Sequence, residues 1–221
     1  MDLTGIEVLR TIEERVAPGH TALLVVDMQN DYCSAGGASD KNGRDLTSTS
    51  AAIPRIAALI DAARGVGMPI IFTKYTVGPG AAGLSGPEIL RRGMNFAGVE
   101  STIRGTWGHE IVAAMPIHPD EDLVIEKRRL SAFIGTDLVM VLRARGVKTL
   151  VVAGVVTQAC VECTVRDATG WDYYVAVPAD CVASTDEGVH RNAIASMAAV
   201  LRYQDAITTS DRIMEIWRQA S

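Results

Sequence analysis

The chain has 221 residues, of which 48% are hydrophobic and 21% charged, and its formal net charge is -5. That apolar content is too high for a disordered chain, and a domain of this length buries roughly 70% of its unfolded surface without a metal or disulfide. No uninterrupted apolar run is long enough to span a bilayer, and the densest basic cluster is only Lys127-Arg128-Arg129, so neither a membrane nor a nucleic acid is expected as partner.

In chain order, the opening stretch 1–16 has acids early and no apolar signal core. A cytoplasmic, reducing setting with free thiols at Cys33, Cys160, Cys163 and Cys181 is therefore expected. The first apolar run is TALLVV at 21–26, read as a buried strand. A helix is expected over 54–65, with Ile56, Leu59, Ile60 and Ala63 on one face, Pro54 near its start and Gly65 at its end. Further strands are predicted at 68–73 (MPIIFT) and 122–126 (DLVIE). Thr136 is placed to cap a helix carrying Leu138, Val141 and Leu142 that stops at Gly146. TLVVAGV at 149–155 is a strand, and Val161, Thr164, Val165 and Ala168 give 160–169 a helical period. A strand follows at 173–178 (YYVAVP). Ser184-Thr-Asp-Glu187 then reads as a capping box before Val189, Ala193, Ile194, Met197 and Leu201. A weaker strand lies at 206–208, and Asp211 is placed to cap a last helix with Ile213, Ile216 and Trp217.

The strands are continuous apolar runs rather than alternating ones, as in a sheet covered on both faces. The prediction is an α/β fold: a three-layer α/β/α sandwich with a mostly parallel, about six-stranded central sheet of Rossmann-like type. One domain over 1–221 is expected, with 1–18 as an N-terminal extension and about 75–120 as an active-site or oligomer insertion. The stretches 28–50 and about 75–120 break the strand–helix rhythm, and such excursions tend to line the crevice at the strand C-terminal ends.

Three residues stand where that crevice should be. Asp27 ends the first strand, Lys127 ends DLVIE, and Cys160 follows TLVVAGV in the first turn of a helix. Taken singly, each has an ordinary structural role: a loop cap, a solvated charge run, a buried small hydrophobe. Together they deliver an acid, a base and a thiol to one rim, the logic of nucleophilic acyl transfer. A helix N-terminus and a neighbouring lysine are both expected to lower the Cys160 pKa, and the free N–H groups of the turn to form an oxyanion hole. Cys160 and Cys163 also form a C-x-x-C, which leaves a redox reading open. There is no G-x-G-x-x-G and no phosphate-binding loop, and the four histidines show no metal-ligand spacing.

LLVVDMQNDY, KRRLSAFIGTDL and GVVTQACVECTVRDA resemble, in order and spacing, three motifs of the isochorismatase-like cysteine hydrolase superfamily. The resemblance spans roughly 19–210 and places Asp27, Lys127 and Cys160 on the family's catalytic aspartate, lysine and nucleophile. It implies a cis peptide between Val155 and Val156, with the N–H groups of Val156 and Cys160 as the oxyanion hole. It implies no metal or organic cofactor, a thioester intermediate, and self-association into a dimer or tetramer. The metal cluster of nicotinamidases is not expected, because no histidine lies between His20 and His109. Vinyl-ether hydrolases of the isochorismatase type do without the cysteine, so Cys160 points to C–N bond cleavage, with the vinyl-ether reaction as the alternative. GTWGHEIV at 105–112 and the C-V-E-x-T-x-R-D phrase are most similar to ureidoacrylate amidohydrolases, with N-carbamoylsarcosine and biuret hydrolases close in style. The expected substrate is a small carbamoyl, ureido or primary amide compound. Arg91, Arg92 and Arg104 are candidates to hold a carboxylate, and Tyr32, Trp107 and Phe133 to wall the pocket.

Overall fold

Alternate residues of each central strand feed two separate cores, which is why the sequence runs are apolar without a break. Leu23 and Val25 enter one core with Phe72, Val151 and Ala153; Ala22, Leu24 and Val26 enter the other with Ile71, Leu150 and Val152. The computed structural model describes residues 5, 7–96 and 100–220. The strands are β1 (Thr21–Val26), β2 (Ile70–Tyr75), β3 (Leu123–Lys127), β4 (Thr149–Val155), β5 (Tyr174–Pro178), β6 (Val182–Ala183) and β7 (Ile207–Thr208). Among the described residues they form one seven-stranded parallel sheet in the order β3-β2-β1-β4-β5-β7, with β6 beside β4.

The helices are α1 (Ile12–Arg15), α2 (Asn30–Cys33), α3 (Ala38–Lys41), α4 (Thr47–Gly65), α5 (Gly86–Phe96), α6 (Leu138–Ala144), α7 (Glu162–Gly170), α8 (Glu187–Leu201) and α9 (Ser210–Gln219). On one face α4 packs Ile56, Leu59 and Ile60, and α9 packs Ile213, Ile216 and Trp217. Leu138 and Leu142 of α6, Val165 and Ala168 of α7, and Met197 and Leu201 of α8 cover the other. The three-layer α/β/α sandwich is thus present, with each such buried aliphatic or aromatic side chain contributing about 1.5–3 kcal/mol. Among the described residues no helix is long and apolar enough to cross a membrane.

Several local expectations are corrected. The sheet has a seventh strand, the two-residue β6, too short to leave a pattern. DLVIE is an edge strand: Val124 is 41% exposed, so β3 is apolar on one side only in practice. Helix α4 begins at Thr47, not near Pro54, because Asp45 Oδ1 accepts the Thr47 N–H and the Leu46 carbonyl accepts that of Ser50. Pro54 therefore sits inside the helix and leaves the Ser50 carbonyl without its helical donor. Asp186, not Ser184, caps α8 by accepting from Val189 N at 2.9 Å, and Thr209, not Asp211, caps α9. Thr136 does accept from Leu138 N, at 3.3 Å, at the start of α6.

The chain leaves β1 for β2 and β3 on one side, then returns to β4 on the other side of β1. The crevice at this reversal, outside the strand C-termini, is where open α/β sheets bind ligands. The two strands approach so closely there that a Cβ at Gly154 would lie 2.1 Å from the Val26 carbonyl oxygen, and Gly154 has φ +118°. Only glycine fits that position.

Candidate active site

Asp27 directly follows β1, Lys127 is the last residue of β3, and Cys160 lies in the turn after β4. Register explains the reach: Lys127 pairs with Tyr75 at the end of β2, and its ammonium crosses that ring at 4.6 Å from the centroid. Asp27 and Lys127 are sealed from solvent and Cys160 is 5% exposed. Lys127 Nζ stands 2.7 Å from Asp27 Oδ2 and 3.2 Å from Cys160 Sγ. The same ammonium donates to the carbonyls of Arg129 (3.0 Å) and Leu130 (2.9 Å). Two backbone acceptors thus anchor it, and its remaining donor capacity faces the acid and the thiol.

The other two members are equally fixed. Thr73 Oγ1 donates to Asp27 Oδ1 at 2.6 Å, and the Asp27 backbone has φ +50°. Cys160 lies in a single wide turn, Thr157–Val161, that leads into α7. Thr164 Oγ1 donates to the Cys160 carbonyl at 2.6 Å and accepts from Ala132 N at 3.0 Å, tying the Cys160 turn to the segment after Lys127. The Val155–Val156 peptide is cis, as the resemblance implied.

Electrostatics correct one expectation. Burial pushes the Cys160 thiol up, to about 12, and the adjacent Asp27 adds to the rise; Lys127 opposes it without winning. Desolvation outweighs the neighbouring ammonium here. Burial alone would depress Lys127, but Asp27 and Cys160 overcome it and hold its pKa above the ordinary lysine value. The site thus packs a thiol whose ionisation burial opposes against a lysine whose charged form its neighbours favour. Such a set is able to pass a proton from sulfur to the carboxyl group as a carbonyl is attacked.

Above Cys160 opens a cavity of about 180 Å³. Tyr32, Arg91, Arg92, Val156 and Cys160 line it. Burial and the charges of Cys160 and Asp27 hold the Tyr32 hydroxyl well above its usual range. Three candidates lie elsewhere. Arg104 ion-pairs with Glu126 on the surface. Trp107 is 56% exposed, and its carbonyl accepts from Asn30 Nδ2 at 2.9 Å and Glu110 N at 3.1 Å. Phe133 turns into the core, with its ring 6.0 Å from that of Tyr173. The GTWGHEIV stretch is scaffold: Gln29 Nε2 donates to the His109 carbonyl, and a Cβ at Gly108 would meet the Asp31 carboxylate at 2.2 Å.

Sequence reasoning missed Thr73, Asn42, Arg44, Tyr75 and Gln158. Thr73 ended a predicted strand, and Asn42 and Arg44 lay in the 28–50 excursion, so their positions were visible though their roles were not. Tyr75 and Gln158 also line the cavity. Among the described residues no three His, Cys, Asp or Glu side chains converge as a metal-holding group. All four cysteines are free, with Cys163 half-buried.

A parallel α/β sandwich with a buried Asp–Lys–Cys cluster at its sheet reversal defines a class of cysteine hydrolases. The Isochorismatase domain model matches residues 21–211. The chain belongs to the isochorismatase family. It is 36% identical over 192 residues to the ureidoacrylate amidohydrolase RutB of Methylobacterium radiotolerans, covering 81% of this chain and 74% of that one. A cysteine hydrolase from Pseudomonas syringae pv. phaseolicola superimposes with a TM-score of 0.80 at 25% identity, covering 99% of this chain and 100% of that one. An N-carbamoylsarcosine amidase from Thermoplasma acidophilum gives 0.69 at 26% identity, covering 87% and 97%.

Proposed function

We propose that the chain is a cysteine-dependent amidohydrolase that cleaves a C–N bond of a small carbamoyl, ureido or primary amide compound and releases ammonia. The observation that carries this reading is the sealed Asp27–Lys127–Cys160 contact, with the sulfur opening onto the cavity. The relatives named for ureidoacrylate and N-carbamoylsarcosine cleavage support the same bond type.

In the first half-reaction Asp27 accepts the Cys160 proton as the sulfur attacks the carbonyl carbon. Lys127 remains an ammonium and offsets the negative charge as it passes from the Asp27 carboxylate to the sulfur. The N–H groups of Val156 and Cys160 stabilise the tetrahedral oxyanion, an effect of about 3–4 kcal/mol per donor in related chemistry. Asp27 returns its proton to the departing nitrogen, so the C–N bond breaks, ammonia leaves and a thioester remains. Asp27 then takes a proton from water, hydroxide adds to the thioester, and the Cys160 thiolate leaves and is reprotonated. The net change is one water consumed and one ammonia formed. The whole chain acts as one domain in this reading, with 75–120 as the insertion that completes the pocket. The enzyme works in the cytoplasm as a homo-oligomer, which gel filtration with light scattering tests.

The test is ammonia release from ureidoacrylate, N-carbamoylsarcosine, biuret, maleamate and nicotinamide by wild type and Cys160→Ala. Release from one compound, lost in the folded variant, is the expected result. Silence across the panel overturns the amide reading and moves the vinyl-ether reaction forward.

A further inference from the structure

The two carboxylate oxygens of Asp27 are held in opposite ways. Thr73, which pairs with Val26 across β1 and β2, is sealed from solvent. Its carbonyl and its Oγ1 each accept the Asp27 N–H at 3.2 Å, and its hydroxyl donates to Asp27 Oδ1 at 2.6 Å. Asp27 holds φ +50°. A non-glycine residue persists in that left-handed region only where its surroundings over-determine it, and the Thr73 bonds supply that constraint.

Oδ2 is the open side. It is buried and stands 2.7 Å from Lys127 Nζ, yet no hydrogen bond from the described residues reaches it. The lysine explains why. An ammonium has three hydrogens, and Lys127 directs them to the Arg129 carbonyl (3.0 Å), the Leu130 carbonyl (2.9 Å) and Cys160 Sγ (3.2 Å). The Asp27–Lys127 contact is therefore an ion pair held by charge, and the lone pairs of Oδ2 stay open. Unmet buried acceptors are rare in folded chains, and one beside a reacting thiol calls for a proton. Oδ1 is no alternative seat. A proton there would displace the Thr73 hydroxyl hydrogen, which has no other acceptor among the described residues.

We propose that Thr73 is a positioning residue that makes Asp27 a one-sided base: its hydroxyl locks Oδ1, so every proton that Asp27 carries sits on Oδ2. When the sulfur attacks, the Sγ–H bond breaks and the Oδ2–H bond forms. The electron pair of the old S–H bond becomes the new S–C bond, and the Lys127 N–H already on Sγ remains there through the transfer. Oδ2 then gives its proton to the leaving nitrogen and later takes one from water. These later transfers rest on the amidohydrolase reading, whereas the first needs only Thr73, Asp27, Lys127, Cys160 and an electrophile.

The test uses Thr73→Val, which keeps the side-chain shape and removes the hydroxyl, and Thr73→Ser, which keeps the hydroxyl. Two rates are compared. One is turnover of any amide that the enzyme cleaves. The other is alkylation of Cys160 by iodoacetamide, followed by peptide mass spectrometry, which needs the same proton transfer but no oxyanion and no bound substrate. Thr73→Val is expected to lower kcat by about 10- to 100-fold with KM unchanged, the loss that a displaced catalytic group brings, and to slow alkylation in proportion. Thr73→Ser should restore both rates. A merely structural role would instead loosen the turn, expose the thiol and speed its alkylation. If Thr73→Val does not fold, Thr73→Ser and Thr73→Ala give a second pair that differs by the hydroxyl alone. Alkylation of Thr73→Val at the wild-type rate or faster, or Thr73→Ser as slow as Thr73→Val, would overturn the proposal. Silence toward every amide, with alkylation that still depends on the hydroxyl, would overturn the amidohydrolase reading and leave the positioning role intact.

Discussion

Lys127→Met should be among the most damaging single changes in the molecule. The ammonium it removes lies 2.7 Å from Asp27 Oδ2, and both side chains have no solvent exposure. Without it the Asp27 carboxylate keeps the Thr73 hydroxyl at 2.6 Å but has no counter-charge. Breaking a buried pair from one side costs about 3–5 kcal/mol. At about 2–4 °C per kcal/mol for a chain of this size, the melting temperature should fall by roughly 6–20 °C. Asp27→Asn leaves the ammonium with the Arg129 and Leu130 carbonyls and should cost less. The double variant removes both charges, so its loss should be smaller than the sum of the single losses by about 2 kcal/mol or more. Urea unfolding at pH 7 measures all four proteins. Additivity within about 0.5 kcal/mol would refute the coupling on which this reasoning stands. All three variants should be inactive.

Three further outcomes follow from the same structure. The Cys160 thiol, pushed up to about 12, should contribute no thiolate absorbance at 240 nm in the difference between wild type and Cys160→Ser below pH 9, and a thiolate at pH 7 would contradict its burial. His109 is buried with Nε2 2.8 Å from Thr76 Oγ1, and burial, aided by Lys74, lowers its pKa below 6.5. A depressed base stabilises the fold above its unfolded pKa, so stability should decline as pH falls below about 6.5, and His109→Gln should flatten that slope in denaturant titrations. Gly154→Ala should cost about 3 kcal/mol or more, read by the same unfolding assay, because the new Cβ meets the Val26 carbonyl and the backbone φ is +118°.

The sheet was legible because burial on two faces leaves unbroken apolar runs, and 21–26 and 149–155 match β1 and β4 residue for residue. Helix starts were less legible. Small polar residues carry little periodic signal over 47–53, and Ser184 and Asp186 are equally good caps on paper. That Asp27, Lys127 and Cys160 meet at one rim was readable from strand ends and motif spacing. The pocket wall was read only in part, since Arg91 and Arg104 look alike in a sequence until Glu88 and Glu126 decide where each guanidinium goes. The Cys160 pKa departs from the motif-based expectation for a related reason. Chain order announces the helix terminus and the lysine, whereas the depth of burial that outweighs them is a property of the folded molecule.

The most direct measurement quenches the enzyme in acid during turnover of a cleaved amide and maps the modified peptide by mass spectrometry. The account expects the acyl portion of the substrate, without its amino group, as a thioester on Cys160, and no ammonia release by Cys160→Ala. An adduct on Cys163, or ammonia release by Cys160→Ala at the wild-type rate, would contradict it.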